Sequence, residues 1–460
     1  MPGRALESVD PTSGERIATW PELAPAELER RLAEAQASSA RWARASFEER
    51  AGPLRGTAGL FRARSEALAM LMAEEMGKPL AQGRAEVEKC AGACEFYAEH
   101  APEMLRDEPV RPSRGGAREL VTFQPLGPVL AIMPWNFPLW QVVRCAAPTL
   151  MAGNGLVLKH AENVQGCGRA LESLFLDAGL PRGLFANLPL GVERVPALIR
   201  DRRIAAVTLT GSTRAGRAVA EAAGGALKKC VLELGGSDAY VVLEDADLEL
   251  AARTCVTSRL INAGQSCIAA KRFVVVESVR AEFTARVVEE MRAKKTGDPR
   301  GAVDLGPLAR SDLRDALHLQ VRRSIERGAR CLLGGELPSG RGFFYPPTVL
   351  AGVAAGMPAY EEELFGPAAA ILAARDEAHA IALANDSNHG LGAAVFTRDV
   401  ERGLELAKRE LQAGSVFVND FVRSDPRLPF GGIKDSGFGR ELAGYGLREF
   451  VNVKTVVASG

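Results

Sequence analysis

The sequence predicts an α/β protein made of two doubly wound domains. Short apolar runs recur from about residue 126, with helical patterns between most of them. That rhythm is the one βαβ units produce around a parallel sheet. A similar texture resumes after residue 240, with neither an internal repeat nor a low-complexity linker between. The two halves therefore read as two α/β domains joined near residue 235.

Taken in order, residues 22–104 are expected to be helical. Leu28, Leu32 and Ala35 share a face, and Leu54, Leu60, Phe61, Leu68, Leu71 and Met72 continue the spacing. Gly77-Lys78-Pro79 punctuates the stretch, and its Glu and Arg runs read as solvated faces. Strands are expected at 129–133, 155–159, 184–188, 206–210 and 230–234 in the first domain. In the second they are expected at 240–243, 273–276, 370–372 and 415–418.

A chain of 460 residues, 47% apolar and 25% charged, has ample material for a soluble enzyme core. Its 57 basic and 57 acidic residues cancel, so nothing asks for nucleic acid or an anionic membrane surface. No apolar run reaches the roughly 18 residues of a membrane span. The first residues lack the apolar core of a signal peptide, so the expected location is the cytoplasm. None of the eight cysteines shows zinc-type spacing, and no metal is expected. Cys90 and Cys94 share a helix face and read as small buried side chains.

Three motifs carry chemistry. Gly264-Gln265-Ser266-Cys267 presents a thiol after a turn; at a helix start its pKa would be lowered toward thiolate. Glu233 ends an apolar run before Gly235-Gly236, where desolvation would raise its pKa into the range of a general base. Asn136, between Trp135 and Phe137-Pro138, is a stiffly held amide that could donate to a developing oxyanion. Together they equip the chain for covalent chemistry on a carbonyl.

A cofactor is suggested by Thr210-Gly211-Ser212-Thr213-Arg214-Ala215-Gly216, which follows one predicted strand and opens a helix. Backbone N–H groups at such a turn can approach a pyrophosphate. The spacing is neither the dinucleotide fingerprint nor a P-loop, so a plain tight turn stays open on this motif alone. Lys159 closes a predicted strand, where open sheets bind ligands. Glu162 could accept from an adenosine ribose and would repel a phosphate on it, which favours NAD over NADP.

With Glu361-Glu362-Glu363-Leu364-Phe365-Gly366-Pro367 and Pro429-Phe430-Gly431-Gly432-Ile433-Lys434, these motifs follow one another from Asp10 to Phe450. In that order they resemble the NAD(P)-dependent aldehyde dehydrogenases over essentially the whole chain. The resemblance implies that Cys267 attacks the aldehyde. Asn136 and the Cys267 N–H would hold the oxyanion, and Glu233 would activate the water that hydrolyses a thioester. It implies NAD, or NADP, held by Ile132, Pro134, Trp135, Lys159, Glu162, Gly211, Ser212, Glu363 and Phe365. It also implies a cofactor domain over 1–108 and 126–234 and a catalytic domain over 235–440. An oligomerisation arm and C-terminal tail would span 109–125 and 441–460, giving a homodimer or homotetramer.

Within the family the chain is most similar to short bacterial succinate-semialdehyde dehydrogenases. Arg144 and Ser424 match residues that read the substrate's distal carboxylate, a pairing suited to a guanidinium. Those enzymes often carry a second arginine six residues before the nucleophile, where this chain has Ile261. The departure leaves glutarate semialdehyde or apolar aldehydes open as alternatives, and Arg423 open as a substitute cation. A CoA-acylating enzyme fits less well, because thiolysis needs no general base and Glu233 is present. A non-catalytic protein on the same scaffold fits least, because nucleophile, base and oxyanion donor are all kept.

Overall fold

Helical spacing in the first hundred residues becomes four helices, Pro25–Trp42, Phe47–Ala63, Ser65–Met76 and Leu80–Met104. The computed structural model describes residues 5–111 and 117–459. Residues 1–4, 460 and 112–116 of the expected arm lie outside them. Local chemistry sets the breaks between helices. Ser46 and Glu49 form a reciprocal capping box at the second helix. Gly77 ends the third in the left-handed conformation, φ 77°. The longest helix buries Cys90, Cys94, Tyr97, Ala98 and Ala101 along one stripe. Burial pushes the Cys94 thiol up to about 12, as befits an inert core residue. Among the described residues no helix is long and apolar enough to cross a membrane.

The first sheet runs Phe185–Asn187, Leu156–His160, Val129–Met133, Ala206–Thr210 and Lys229–Glu233, all parallel. Both faces are covered. Val129 and Ala131 pack with Leu156 and Leu158 against the helices on one side, while Leu130, Val157, Val207 and Leu209 fill a second core on the other. The second sheet is ordered Arg330–Leu333, Thr348–Ala351, Ala368–Ala374, Arg272–Val276, Ala239–Val242, Gly392–Phe396 and Ser415–Val418. Only its edge strand Arg330–Leu333 is antiparallel. The expected strands are all present, within two residues at either end.

Three features depart from expectation. An N-terminal hairpin, Ala5–Asp10 with Glu15–Pro21, precedes the helices. Gly437–Phe438 returns to the first sheet, pairing antiparallel with Leu232 and Glu233. Phe430, Leu442, Leu447 and Phe450 also belong to the first core. Residues from about 430 to 450 therefore pack with the first sheet and its core, although the second domain was expected to run to 440. The return requires Gly437, with φ 107°, because a Cβ there would strike the Leu232 carbonyl. Beyond it, Val451–Ala458 pairs along its length with Arg118–Pro125, and Glu108–Val110 adds a third strand.

Candidate active site

In the first sheet the strand order reverses between Val129–Met133 and Ala206–Thr210. Chains leaving those two carboxyl ends diverge and open a crevice, the standard ligand position of a doubly wound sheet. Pro134, Thr210 and Gly211 line a cleft there of about 700 Å³, together with Lys159 and Glu162. A contiguous compartment of about 260 Å³ continues past Trp135, Ser212, Glu363 and Phe365 to Cys267. Ser212 caps the helix Thr213–Gly225, its Oγ accepting from Ala215 N at 3.3 Å. The helix sits close because residue 216 is glycine; a Cβ would lie 2.5 Å from Leu234 Cδ1. The Gly211 N–H is spent on the Glu233 carbonyl at 3.0 Å. An anion is therefore left to the orphan N–H groups of the helix's first turn.

The nucleophile's loop starts with three consecutive left-handed residues, Asn262, Ala263 and Gly264, with φ of 56°, 52° and 76°. Such strain persists only where surroundings over-determine it. Gln265 supplies part of that, its Nε2 donating to Asn262 O at 3.1 Å while its Oε1 accepts from Ala309 N at 2.9 Å. Lys271 Nζ donates to the carbonyls of Ser266 and Cys267, at 2.9 and 2.7 Å. The Cys267 N–H donates to no acceptor among the described residues, so it is available to an oxyanion.

Asn136 is buried beside this loop, its Nδ2 donating to Gln265 O at 3.1 Å. That leaves one amide proton unassigned. Its own carbonyl accepts from Lys78 Nζ at 3.0 Å and Asn262 Nδ2 at 2.7 Å. Lys78 is paired with Glu86, and Glu86 Oε1 accepts from the N–H groups of Leu139 and Trp140, both at 2.9 Å. A buried ion pair thus fixes the backbone on both sides of Phe137-Pro138.

One sequence expectation fails here. No helix starts at Cys267, which lies in a turn. Burial pushes its thiol up to about 12, with Arg144 and Lys271 opposing. Desolvation thus works against the thiolate, and the two cations work for it.

Glu233 is buried at the last residue of its strand, and neither carboxylate oxygen has a hydrogen-bond partner among the described residues. Burial first, then the Glu441 carboxylate, holds its carboxyl well above the usual range, while Arg144 and Arg440 oppose. Its Oε1 lies against Gly431, where a Cβ would be 2.7 Å away. No hydrogen bond joins it to Cys267. A carboxylate with no hydrogen-bond partner gives up no bond in turning toward Cys267.

On the other side of Cys267 is a mostly apolar cavity of about 410 Å³. Trp140, Leu260, Ile261, Ile268 and Phe430 contribute to its walls, and its polar lining includes Arg144, Ser424 and Lys89 together with Glu86, Gln141, Lys294 and Asp304. Cys267 borders both this cavity and the cofactor crevice. A molecule bound in the cavity can therefore present its reactive carbon to the thiol while a cofactor approaches from the opposite side.

The aldehyde dehydrogenase family model matches residues 2–456. The chain belongs to the aldehyde dehydrogenase family. It is 50% identical over 450 residues to an Escherichia coli protein named succinate semialdehyde dehydrogenase, NAD(P)+, covering 98% of this chain and 97% of that protein. It is 47% identical to an aldehyde dehydrogenase of Paenarthrobacter nicotinovorans, over 99% of this chain and all of that one. The structure of a succinic semialdehyde dehydrogenase from Streptococcus pyogenes in complex with NADP+ superposes with a TM-score of 0.96. That pair is 35% identical, with 99% and 100% of the two chains covered.

Most residues expected of an aldehyde dehydrogenase site converge. Pro134, Trp135, Lys159, Glu162, Gly211, Ser212, Glu363 and Phe365 all line the crevice. Glu363 accepts from Gly236 N at 3.2 Å and pairs with Lys271 at 3.3 Å. The Phe365 ring stands edge-on to Trp135 at 5.8 Å. Ile132 does not join them, because its side chain packs on the core beneath the sheet. Arg423 also stays away, paired at the surface with Asp420 at 2.6 Å. Arg144 reaches the cavity already engaged, ion-paired through Nε with Glu441 and donating to Thr210 Oγ1 at 3.1 Å. Glu441, Lys271 and Lys89 were not singled out by sequence. Glu441 stands seven residues beyond the Pro429–Lys434 motif, whereas Lys89 was hidden in a charged helical run.

Proposed function

We propose that this chain oxidises succinate semialdehyde to succinate with NAD(P)+. The observation that carries the reading is a thiol bordering both a cofactor crevice and a mostly apolar cavity lined in part by Lys89, Arg144 and Ser424. The crevice fits a dinucleotide: it lies at the sheet's switch point, opens onto a capped helix N-terminus, and continues to Glu363 and Phe365. When bound, NAD(P)+ supplies the hydride acceptor.

The chain's own residues do the rest. Cys267 Sγ adds to the aldehyde carbon as its proton passes to solvent water, and the carbonyl oxygen becomes an alkoxide. The Cys267 N–H and the remaining Asn136 amide proton donate to that oxygen. Loss of hydride restores the carbonyl as a thioester. Glu233 then takes a proton from water, the resulting hydroxide adds to the thioester carbon, and the C–S bond breaks. The acid departs, the sulfur takes the proton from Glu233, and the thiol is re-formed. Its raised pKa makes Glu233 a strong base once ionised. Glu162 in the crevice disfavours a phosphate on the adenosine ribose, which supports NAD as the preferred form.

The 108–110, 118–125 and 451–458 sheet supports a homo-oligomer. Val451–Ala458 is an eight-residue edge with Val453, Val456 and Val457 exposed, the kind of edge that pairs with another chain. Light scattering of the native chain and of a Val456→Lys variant tests this. A native monomer would refute it.

Steady-state kinetics with succinate semialdehyde and butyraldehyde, each with NAD+ and NADP+, test the catalytic reading. A preference of about tenfold or more for the acid, roughly 1.4 kcal/mol in the transition state, is expected. Equal kcat/KM for the two would favour the broader aldehyde specificity that Ile261 in the cavity wall leaves open.

A further inference from the structure

Lys89 lines the substrate cavity beside Trp140 and Ser424. Its Nζ lies 4.3 Å from the centre of the Trp140 ring and donates to Ser424 Oγ at 2.8 Å. Among the described residues it forms no ion pair. Nearby carboxylates are committed elsewhere: Glu86 to Lys78 and two backbone N–H groups, Asp425 to Arg427 at 2.7 Å. Arg144, by contrast, is neutralised by Glu441. Burial, followed by repulsion from Arg144, pulls the Lys89 ammonium down to about 8, which still leaves it cationic at neutral pH.

Ser424 completes the arrangement. Its Oγ accepts from Lys89 and also from Trp140 Nε1 at 3.2 Å. Both acceptor sites are occupied, so the hydroxyl proton is left to donate, and no acceptor for it exists among the described residues. An ammonium and an O–H thus stand together in a mostly apolar cavity, offering two donors and one positive charge that has no ion-pair partner among the described residues. The chemical complement is a carboxylate.

We propose that Lys89, acting with the Ser424 hydroxyl, is the residue that binds the distal carboxylate of the substrate, while Arg144 serves chiefly to hold Glu441. The proposal rests on the reading of this cavity as the site of a semialdehyde acid. It also accounts for Ile261: a cation on the helix Leu80–Met104 makes one at position 261 unnecessary.

The test compares kcat/KM for succinate semialdehyde and for butyraldehyde, of equal chain length, in wild type, Lys89→Met, Lys89→Arg and Lys294→Met. Lys294 also borders the cavity, and its variant controls for a general loss of positive charge. Lys89→Met is expected to lose about ten- to hundredfold on the acid and less than about threefold on butyraldehyde, whose turnover also reports an intact fold. Lys89→Arg and Lys294→Met should keep the acid preference. An undiminished preference in Lys89→Met, its loss in Lys294→Met instead, or an equal loss on both aldehydes in Lys89→Met would overturn the assignment of Lys89 alone. A wild type with no acid preference would instead refute the substrate reading, and the role of Lys89 would fall with it.

Discussion

Replacing Asn136 with alanine isolates the oxyanion contribution, because the structure separates what the side chain does from what holds its backbone. The carbonyl of Asn136 is bonded by Lys78 and Asn262, and both bonds survive truncation. The side chain makes one hydrogen bond, to Gln265 O, and that carbonyl keeps a second donor in Asn262 Nδ2 at 3.2 Å. No buried acceptor is orphaned, so the stability cost should be about 1 kcal/mol. The transition state loses one of two oxyanion donors, which is worth about two to three decades in rate, or roughly 2.7–4 kcal/mol. Rapid mixing with aldehyde and NAD(P)+ should show the acylation burst slowed by that factor, with the denaturant midpoint little changed. A burst within about threefold of wild type, against the two decades expected, would refute the placement of the oxyanion at Asn136.

Three further outcomes follow from the same geometry. Glu233→Gln should leave a full burst of reduced cofactor followed by a slow steady state; a slow first turnover with no burst would count against a deacylating base. Glu441→Gln removes a negative charge that raises the Glu233 pKa and leaves the positive charge of Arg144 unopposed. Glu233 then ionises at lower pH, so the acid limb of the kcat–pH profile should move to lower pH; an unmoved limb would show that Glu441 does not couple to the base. Gly264→Ala combines φ 76° with a Cβ driven into the Gly366 carbonyl. It should lose about 1–3 kcal/mol of stability together with burst amplitude, and an unchanged denaturant midpoint would mean that the turn relaxes freely.

The local elements were legible because their signals are local. The strands 129–133 and 206–210 have the predicted bounds, as runs buried on both faces announce themselves, and the half-buried edge strand 415–418 does too. The turn 210–216 and the helix it opens were legible for the same reason. Cys267, Glu233 and Asn136 were readable as a constellation, each set among residues that restrict it.

What tertiary structure decided was electrostatic and non-local. The thiol of Cys267 is raised, not lowered, because it lies in a desolvated turn with no helix start beneath it. The charge of Arg144 is answered by Glu441, about three hundred residues further along the chain. The segment from 430 to 450 crosses back into the first domain because Gly437 lets a strand lie on Leu232 and Glu233. Lys89 reads in sequence as one more charge on a solvated helix; only packing of that helix beside Trp140 and Ser424 turns it into a cation of a mostly apolar cavity. Periodicity and turn chemistry act over a few residues and can be read along the chain. Desolvation and charge pairing depend on which distant groups the fold brings within a few ångströms, and the sequence does not print those neighbours side by side.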